Sequence, residues 1–210
     1  MKNNKIIELL LSQYHDQGTE LKYNNEFELL CAVILSAQTT DKRVNLVTPN
    51  LFKIANNPKQ MLELGVEKIA SYIKTVGLYQ AKSLYLYTMS AQLLKHFAGK
   101  VPNNYTDLIS LAGVGRKTAN VILNTLYKQP VIAVDTHVFR LAKRLALSDG
   151  NTPLKVEQDL MKNIAKKYLL VTHNLLVLHG RYICTAKHPK CSQCVIQSLC
   201  DHYKLSNNSA

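Results

Sequence analysis

The sequence predicts an all-α protein, and three observations carry that prediction. No run of residues alternates apolar and polar side chains as a half-buried strand would. Helix starts are marked by capping residues: Asn25 before EFELLCAVIL, Asp41 before KRVNLV, Asn57 with Pro58, and Thr152 with Pro153, while Gly77 and Gly99 mark stops. The segment from Phe27 to Ala37 is apolar on nearly every face, as expected of a central helix ringed by others.

In chain order, the opening MKNNKIIELLLSQYHDQ has a Lys near the terminus and an apolar patch, but Glu8 interrupts it and no small-residue cleavage site follows. It reads as an amphipathic helix. After the apolar segment, Pro49 is expected to break the next helix into two. Further on, YTDLISL and RKTANVILNTLY both read as helices, so Gly113-Val114-Gly115 between them is a tight turn of a helical hairpin. QPVIAVDTHVFRLAKRLAL then gives a short apolar stretch and another amphipathic helix, with Val138, Leu141, Ala142 and Leu145 on one face. With 210 residues, 47% of them hydrophobic, the chain suits one large or two small domains with a real core. No low-complexity linker or long repeat separates them, so any boundary is crossed by short connections.

Charge narrows the partners. Lys plus Arg number 26 against 14 Asp plus Glu, a net +12, and the pI is about 9.5, which points to nucleic acid or another anionic surface. Nowhere do eighteen uninterrupted apolar residues occur, so no membrane span is expected. Five cysteines in a chain without an export signal argue for a reduced compartment rather than a disulfide framework. Cys31 reads as a small buried apolar residue. The other four, Cys184, Cys191, Cys194 and Cys200, crowd into CTAKHPKCSQCVIQSLC. Four thiolates suit either Zn²⁺ or a [4Fe–4S] cluster, and the single CxxC lacks the second pair a zinc ribbon offers. Ligand type leaves both open.

The hairpin poses a question of charge. A helix N-terminus carries about half a positive charge, so Arg116 and Lys117 stand where cations are disfavoured unless an anion is expected. A Walker A loop needs Gly where Arg116 stands, and a dinucleotide fingerprint needs Gly where Thr118 stands. What remains is a glycine turn whose bare backbone and helix N-terminus approach a phosphate without reading a base, a sequence-independent hold on DNA. The plainer reading is a glycine C-cap followed by solvated cations. Both the helix N-terminus and Arg116 disfavour the ammonium form of Lys117, and free amines attack electrophilic carbon. Asp135 either caps the next helix or does chemistry. A helix to about Tyr127 carries the chain away at ~1.5 Å per residue, and residues 130 to 135, if extended, return it at ~3.3 Å each, which puts Asp135 within reach of Lys117. An amine beside a carboxylate on a DNA-holding turn predicts chemistry at a sugar carbon, and no acidic cluster suited to Mg²⁺ stands out.

The ordered set LSAQTTD, GLYQAK, LAGVGRKTANVILN, VDTH and the terminal C-x6-C-x2-C-x5-C resembles the endonuclease III family of base-excision repair enzymes over essentially the whole chain. The resemblance implies two helical domains flanking a DNA-binding cleft. One is a six-helix barrel with a helix-hairpin-helix over residues 19–129; the other is discontinuous, 1–18 plus 130–210, and carries the cluster. It further implies a bifunctional DNA glycosylase and AP lyase that flips oxidised or ring-saturated pyrimidines out of double-stranded DNA. Lys117 matches the family's nucleophile at C1′ and Asp135 the carboxylate that supports it. Gln38 matches the residue filling the gap left by the flipped nucleotide, and Leu78 an apolar wedge against the opposite strand. Residue type alone reads Gln38 as a helix end and Leu78 as core. Gly113, Val114, Gly115 and Arg116 match the DNA-holding turn. Ser36, Asp41 and His137 fall in matching segments, where capping or buried polar support is the expected role. Ala112 departs from the family pattern, which often has Pro there.

By the same comparison the four cysteines hold one [4Fe–4S] cluster, and Lys187, His188 and Lys190 form a basic loop suited to DNA phosphate. The chain is expected to act as a monomer in the bacterial cytoplasm, at the nucleoid. Two alternatives are kept. An adenine-removing mismatch glycosylase lacks the nucleophilic lysine and usually has a further C-terminal domain, whereas Lys117 is present and ten residues follow Cys200. A non-catalytic DNA-binding or redox iron–sulfur module is the other.

Overall fold

The computed structural model describes residues 2–15 and 18–207, and among these every regular element is helical. The chain divides into two compact units, one of residues 20–127 and one formed by 1–19 with 128–210.

Within the 20–127 unit, α2 (Glu26–Ser36) is the central helix, with every residue from Phe27 to Leu35 buried. Asn25 caps it by accepting from the Glu28 amide at 2.9 Å. Buried Glu28 returns the favour: its Oε2 accepts from the Asn24 amide at 2.6 Å and from Asn24 Nδ2 at 3.0 Å. Cys31 is fully buried, and burial beside Glu28 pushes its thiol well above the usual range, so it is an inert core residue. Around α2 pack α3 (Asp41–Phe52), α6 (Tyr79–Phe97) and α8 (Arg116–Thr125). Helices α4 (Pro58–Leu64) and α5 (Val66–Tyr72) meet at Gly65 and lie against α6, and α7 (Tyr105–Ile109) lies against α8.

Pro49 does not divide its helix; it lies inside α3, which runs unbroken, with Thr40 as its N-cap. An internal Pro costs about 3 kcal/mol through its missing N–H and a ring clash. Val44, Val47, Leu51 and Phe52 are all buried on this helix, at roughly 1.5–3 kcal/mol each. Packing therefore outweighs the local penalty.

In the other unit, α9 (Thr136–Arg144), α10 (Pro153–Asn163), α11 (Leu169–Tyr182) and α12 (Asp201–Asn207) build a core completed by α1 (Lys2–Tyr14). Ile6, Ile7 and Leu10 of α1 pack with Val138, Leu141, Ala142, Leu145, Leu160, Leu176 and Ile196. Polar ties fasten α1 at its edges: Lys2 to Asp201 at 2.6 Å, and Tyr168 donating to Glu8 at 2.6 Å.

Candidate functional site

The α7–α8 hairpin is built around a single left-handed residue. Gly113 has φ +77°, and a Cβ there would lie 2.9 Å from the Tyr85 Cβ, so any side chain meets both strain and a clash. Gly115 is extended (φ −95°, ψ 179°) and is the N-cap of α8, with no side chain to cap the first-turn amides. Val114 turns into the core, 6% exposed, and its amide donates to Leu111 O at 3.1 Å. The part of the turn presented outward is thus the two glycines and the start of α8. Arg116 is exposed and pre-positioned, with NH1 donating to Tyr105 Oη at 3.1 Å and the guanidinium 5.2 Å from that ring's centre. Lys117, also exposed, is the second residue of α8. At Ala112 the amide that a proline would lack donates to Gln92 Oε1 at 2.7 Å, while Gln92 Nε2 donates to Ser110 O at 3.1 Å. A side-chain clamp does here what a ring would do elsewhere. Gly113→Ala is expected to lower stability by about 1–3 kcal/mol. Gly115→Ala, with nothing within 4 Å and an ordinary φ, should leave thermal unfolding nearly unchanged. Equal melting temperatures for the two variants would contradict this account of the turn.

Gln38 and Leu78 lie in adjoining loops of the same unit. Both take left-handed backbone conformations, φ 55° and 58°, without being glycine. Such strain costs on the order of 1–3 kcal/mol per residue and persists only where surrounding structure imposes it. Both are exposed: Leu78, 62% exposed, is the N-cap of α6 rather than core, and Gln38 directly follows the C-cap of α2. Gly77 joins the loops: a Cβ placed on it would touch Thr39 Oγ1 at 3.5 Å and Gln38 O at 3.6 Å. Ser36 donates to Val33 O at 2.8 Å, a local helix-end bond.

Asp135 belongs to the other unit and is the N-cap of α9, its Oδ1 accepting from the Val138 amide at 2.8 Å. Its second oxygen, Oδ2, has no hydrogen-bond partner among the described residues. From the same helix, Arg140 donates to Gly180 O at 2.8 Å and Cys184 O at 3.0 Å, and contacts His137 Nδ1 at 3.2 Å. One turn on, Arg144 donates to Cys184 Sγ at 3.2 Å, Thr185 O at 2.7 Å and Ala186 O at 2.9 Å. Helix α9 therefore carries the candidate carboxylate at one end and braces the cysteine segment from the other. Sequence reasoning missed both arginines, though their i,i+4 spacing in HVFRLAKR marks one helix face.

Cys184, Cys191, Cys194 and Cys200 all line one cavity, with Leu141, Leu145, His179 and Ile196 among its other walls. Among the described residues no group of three His, Cys, Asp or Glu converges closely enough to hold a single metal ion. Four thiols lining one cavity are a donor set that fits an iron–sulfur cluster. Burial lifts the Cys194 thiol to about 11 and raises Cys200, so these sulfurs hold their protons in the absence of metal, and metal binding displaces those protons to solvent. His179 supports the site. Burial depresses it to about 4, so the ring is neutral; Tyr14 Oη lies 3.0 Å from Nδ1 and Cys194 Sγ lies 3.3 Å from Nε2. In the tautomer in which Tyr14 donates to Nδ1, the Nε2 proton points at the sulfur. Beyond the first cysteine, Thr185 Oγ1 donates to His188 O at 2.6 Å and the Lys190 amide to Ile183 O at 2.9 Å, which close a loop on which Lys187, His188 and Lys190 are exposed.

Residues 31–166 match the family model of HhH-GPD superfamily base excision DNA repair proteins, and residues 184–200 match the iron-sulfur binding domain of endonuclease III. Endonuclease III of Rickettsia prowazekii is 48% identical over 200 residues, 95% of this chain and 94% of that protein. The Escherichia coli enzyme is 47% identical over 184 residues, 88% and 87% of the two chains. A solved structure of a trapped endonuclease III–DNA covalent intermediate superposes with a TM-score of 0.92 at 38% identity, covering 99% of each chain. A thermostable thymine-DNA glycosylase shares the fold, with a TM-score of 0.87 at 20% identity over 97% of each chain. No helix among the described residues is long and apolar enough to cross a membrane. The hairpin, the cysteine-lined cavity and these likenesses agree: the chain belongs to the endonuclease III family of HhH-GPD base excision DNA repair proteins, with that family's DNA glycosylase and AP lyase activities and its [4Fe–4S] cluster.

Proposed function

We propose that this glycosylase/lyase acts as a monomer on double-stranded DNA carrying oxidised or ring-saturated pyrimidines or abasic sites, with Lys117 as nucleophile and Asp135 as its supporting carboxylate. The observation that carries the reading is the exposed amine of Lys117 on the uncapped first turn of α8, directly after a glycine turn whose last residue, Gly115, would meet nothing within 4 Å of an added Cβ. Backbone at Gly113 and Gly115, together with Arg116, holds a phosphate. Lys117 Nζ attacks C1′ of the flipped nucleotide, the C1′–N bond breaks, and the base leaves with a proton. Ring opening gives a Schiff base between Nζ and C1′; loss of a C2′ proton then expels the 3′ phosphate by cleavage of C3′–O. Asp135, whose Oδ2 has no hydrogen-bond partner among the described residues, offsets positive charge developing on the sugar. Gln38 fills the vacated space and Leu78 presses on the opposite strand.

Cys184, Cys191, Cys194 and Cys200 hold the cluster, whose four protein ligands leave its role structural and electrostatic. Lys187, His188 and Lys190 meet phosphate on the loop it anchors. The cell compartment that fits this work is the bacterial cytoplasm, at the nucleoid.

Turnover of a panel of duplexes, each with one oxidised or saturated pyrimidine, tests the substrate class; activity confined to mismatched adenine would overturn it. Asp135→Asn keeps an oxygen for the α9 cap, so the fold should persist while the glycosylase rate falls by roughly 10²–10⁴-fold. An unchanged single-turnover rate in that variant would remove Asp135 from the chemistry.

A further inference from the structure

A buried ammonium is expensive unless each of its protons is accepted. Lys82, near the start of α6, is 3% exposed. Its Nζ donates to Leu35 O at 2.9 Å, Ala37 O at 2.6 Å and Thr39 Oγ1 at 3.0 Å, which uses all three N–H groups. Two of these oxygens close the C-terminal end of α2, where the helix dipole is negative, and the third lies just beyond Gln38. The main-chain amide of Lys82 meanwhile donates to Leu78 O at 3.0 Å. One residue thus grips the turn on both sides of Gln38 and the backbone of Leu78. Burial lowers the pKa of this lysine, and the three acceptors match its charged form.

The arrangement is more than a helix cap. An exposed lysine or a glycine would satisfy the end of α2 without desolvating a charge. What a buried cation adds is a brace between two segments, each of which holds an exposed non-glycine residue in left-handed backbone. We propose that Lys82 is a positioning residue for lesion recognition: its buried ammonium locks the 37–39 turn to the start of α6, so that Gln38 and Leu78 enter the duplex as one rigid wedge. This rests on the wedge role given to those two residues above.

Lys82→Met keeps the aliphatic stem and removes the three donors. On duplex DNA with one damaged pyrimidine, kcat/KM is expected to fall by about 10- to 100-fold, the range for losing hydrogen bonds to a charged group. Borohydride capture of a preformed abasic site in a single strand, where no partner strand needs wedging, should change by less than about twofold. Gln38→Ala and Leu78→Ala should show the same duplex-selective loss, and either one combined with Lys82→Met should lose less than the product of the single effects. Equal losses on duplex and single strand would make Lys82 a general stability residue and overturn the inference. So would full duplex activity in Lys82→Met while Gln38→Ala and Leu78→Ala lose theirs, an outcome that leaves the wedge reading standing. Full duplex activity in Gln38→Ala and Leu78→Ala overturns that reading and this inference with it. Should Lys82→Met not fold, Thr39→Val removes one acceptor from the same ammonium: a smaller duplex-selective loss supports the proposal, and unchanged duplex activity overturns it.

Discussion

Lys117→Gln is expected to abolish borohydride capture of abasic-site DNA and to lower strand cleavage by at least about a thousandfold, because the proposed mechanism draws its covalent bond from this amine. On the proposed mechanism, hydride reduces the Schiff-base carbon and leaves a stable amine joining Nζ to C1′ in the wild-type protein. Glutamine has no nucleophilic amine. The substitution should leave the fold intact: Lys117 is exposed, and the buried face of α8 begins at Thr118 and runs to Asn124. Glutamine and lysine have similar helix propensity, and losing a cation at a helix N-terminus stabilises by a few tenths of a kcal/mol, roughly. Loss of capture together with a lowered melting temperature would point to damage of the hairpin instead. An undiminished adduct in a folded variant would place the nucleophile elsewhere.

Cys194→Ala is expected to have the second large effect, on structure rather than on chemistry. Its Sγ lines the shared cavity and lies 3.3 Å from His179 Nε2, so the variant is expected to lose one proposed ligand and to leave the buried His179 Nε2 without its sulfur partner. Iron content and visible absorption should fall together. Between Cys184 and Cys200 regular structure is limited to two short 3-10 turns, Cys191–Gln193 and Gln197–Leu199, and the Arg140 and Arg144 side-chain bonds reach only residues 184–186 of it, so the cluster is expected to hold much of the rest. Limited proteolysis should then cut within 184–200. A loss of about 3 kcal/mol or more would lower the melting temperature by on the order of 10 °C in a chain of this length. Full iron content in this variant would take Cys194 out of the ligand set.

Much of the fold follows from short-range rules. Asn25, Asn57 and Thr152 each accept from the amide three residues on, as their side chains and the following helical pattern require. At Asp41 the boundary is one residue off, because Thr40 provides the cap. Asp135 does what the plainer reading asked, capping α9, and Val138, Leu141, Ala142 and Leu145 face the core as their spacing predicts. Pro49 departs from its local rule because the buried face of α3 around it outweighs the penalty a proline carries by itself. The candidate chemistry was legible where it sits in contiguous motifs: the glycine turn, Lys117 and the four cysteines.

The residues that hold those groups in place were not legible. His179 reaches a cysteine 15 positions away, Arg144 one that is 40 away, and Lys82 binds oxygens 43 to 47 residues earlier. Sequence by itself determined most of the helices and their caps and the hairpin turn, and it singled out the candidate reactive groups, since each depends on neighbours within about one turn of chain. Tertiary structure alone decided which polar side chains are buried and what they grip. A desolvated charge is tolerated only where distant segments converge to accept its protons, and no local pattern records that convergence.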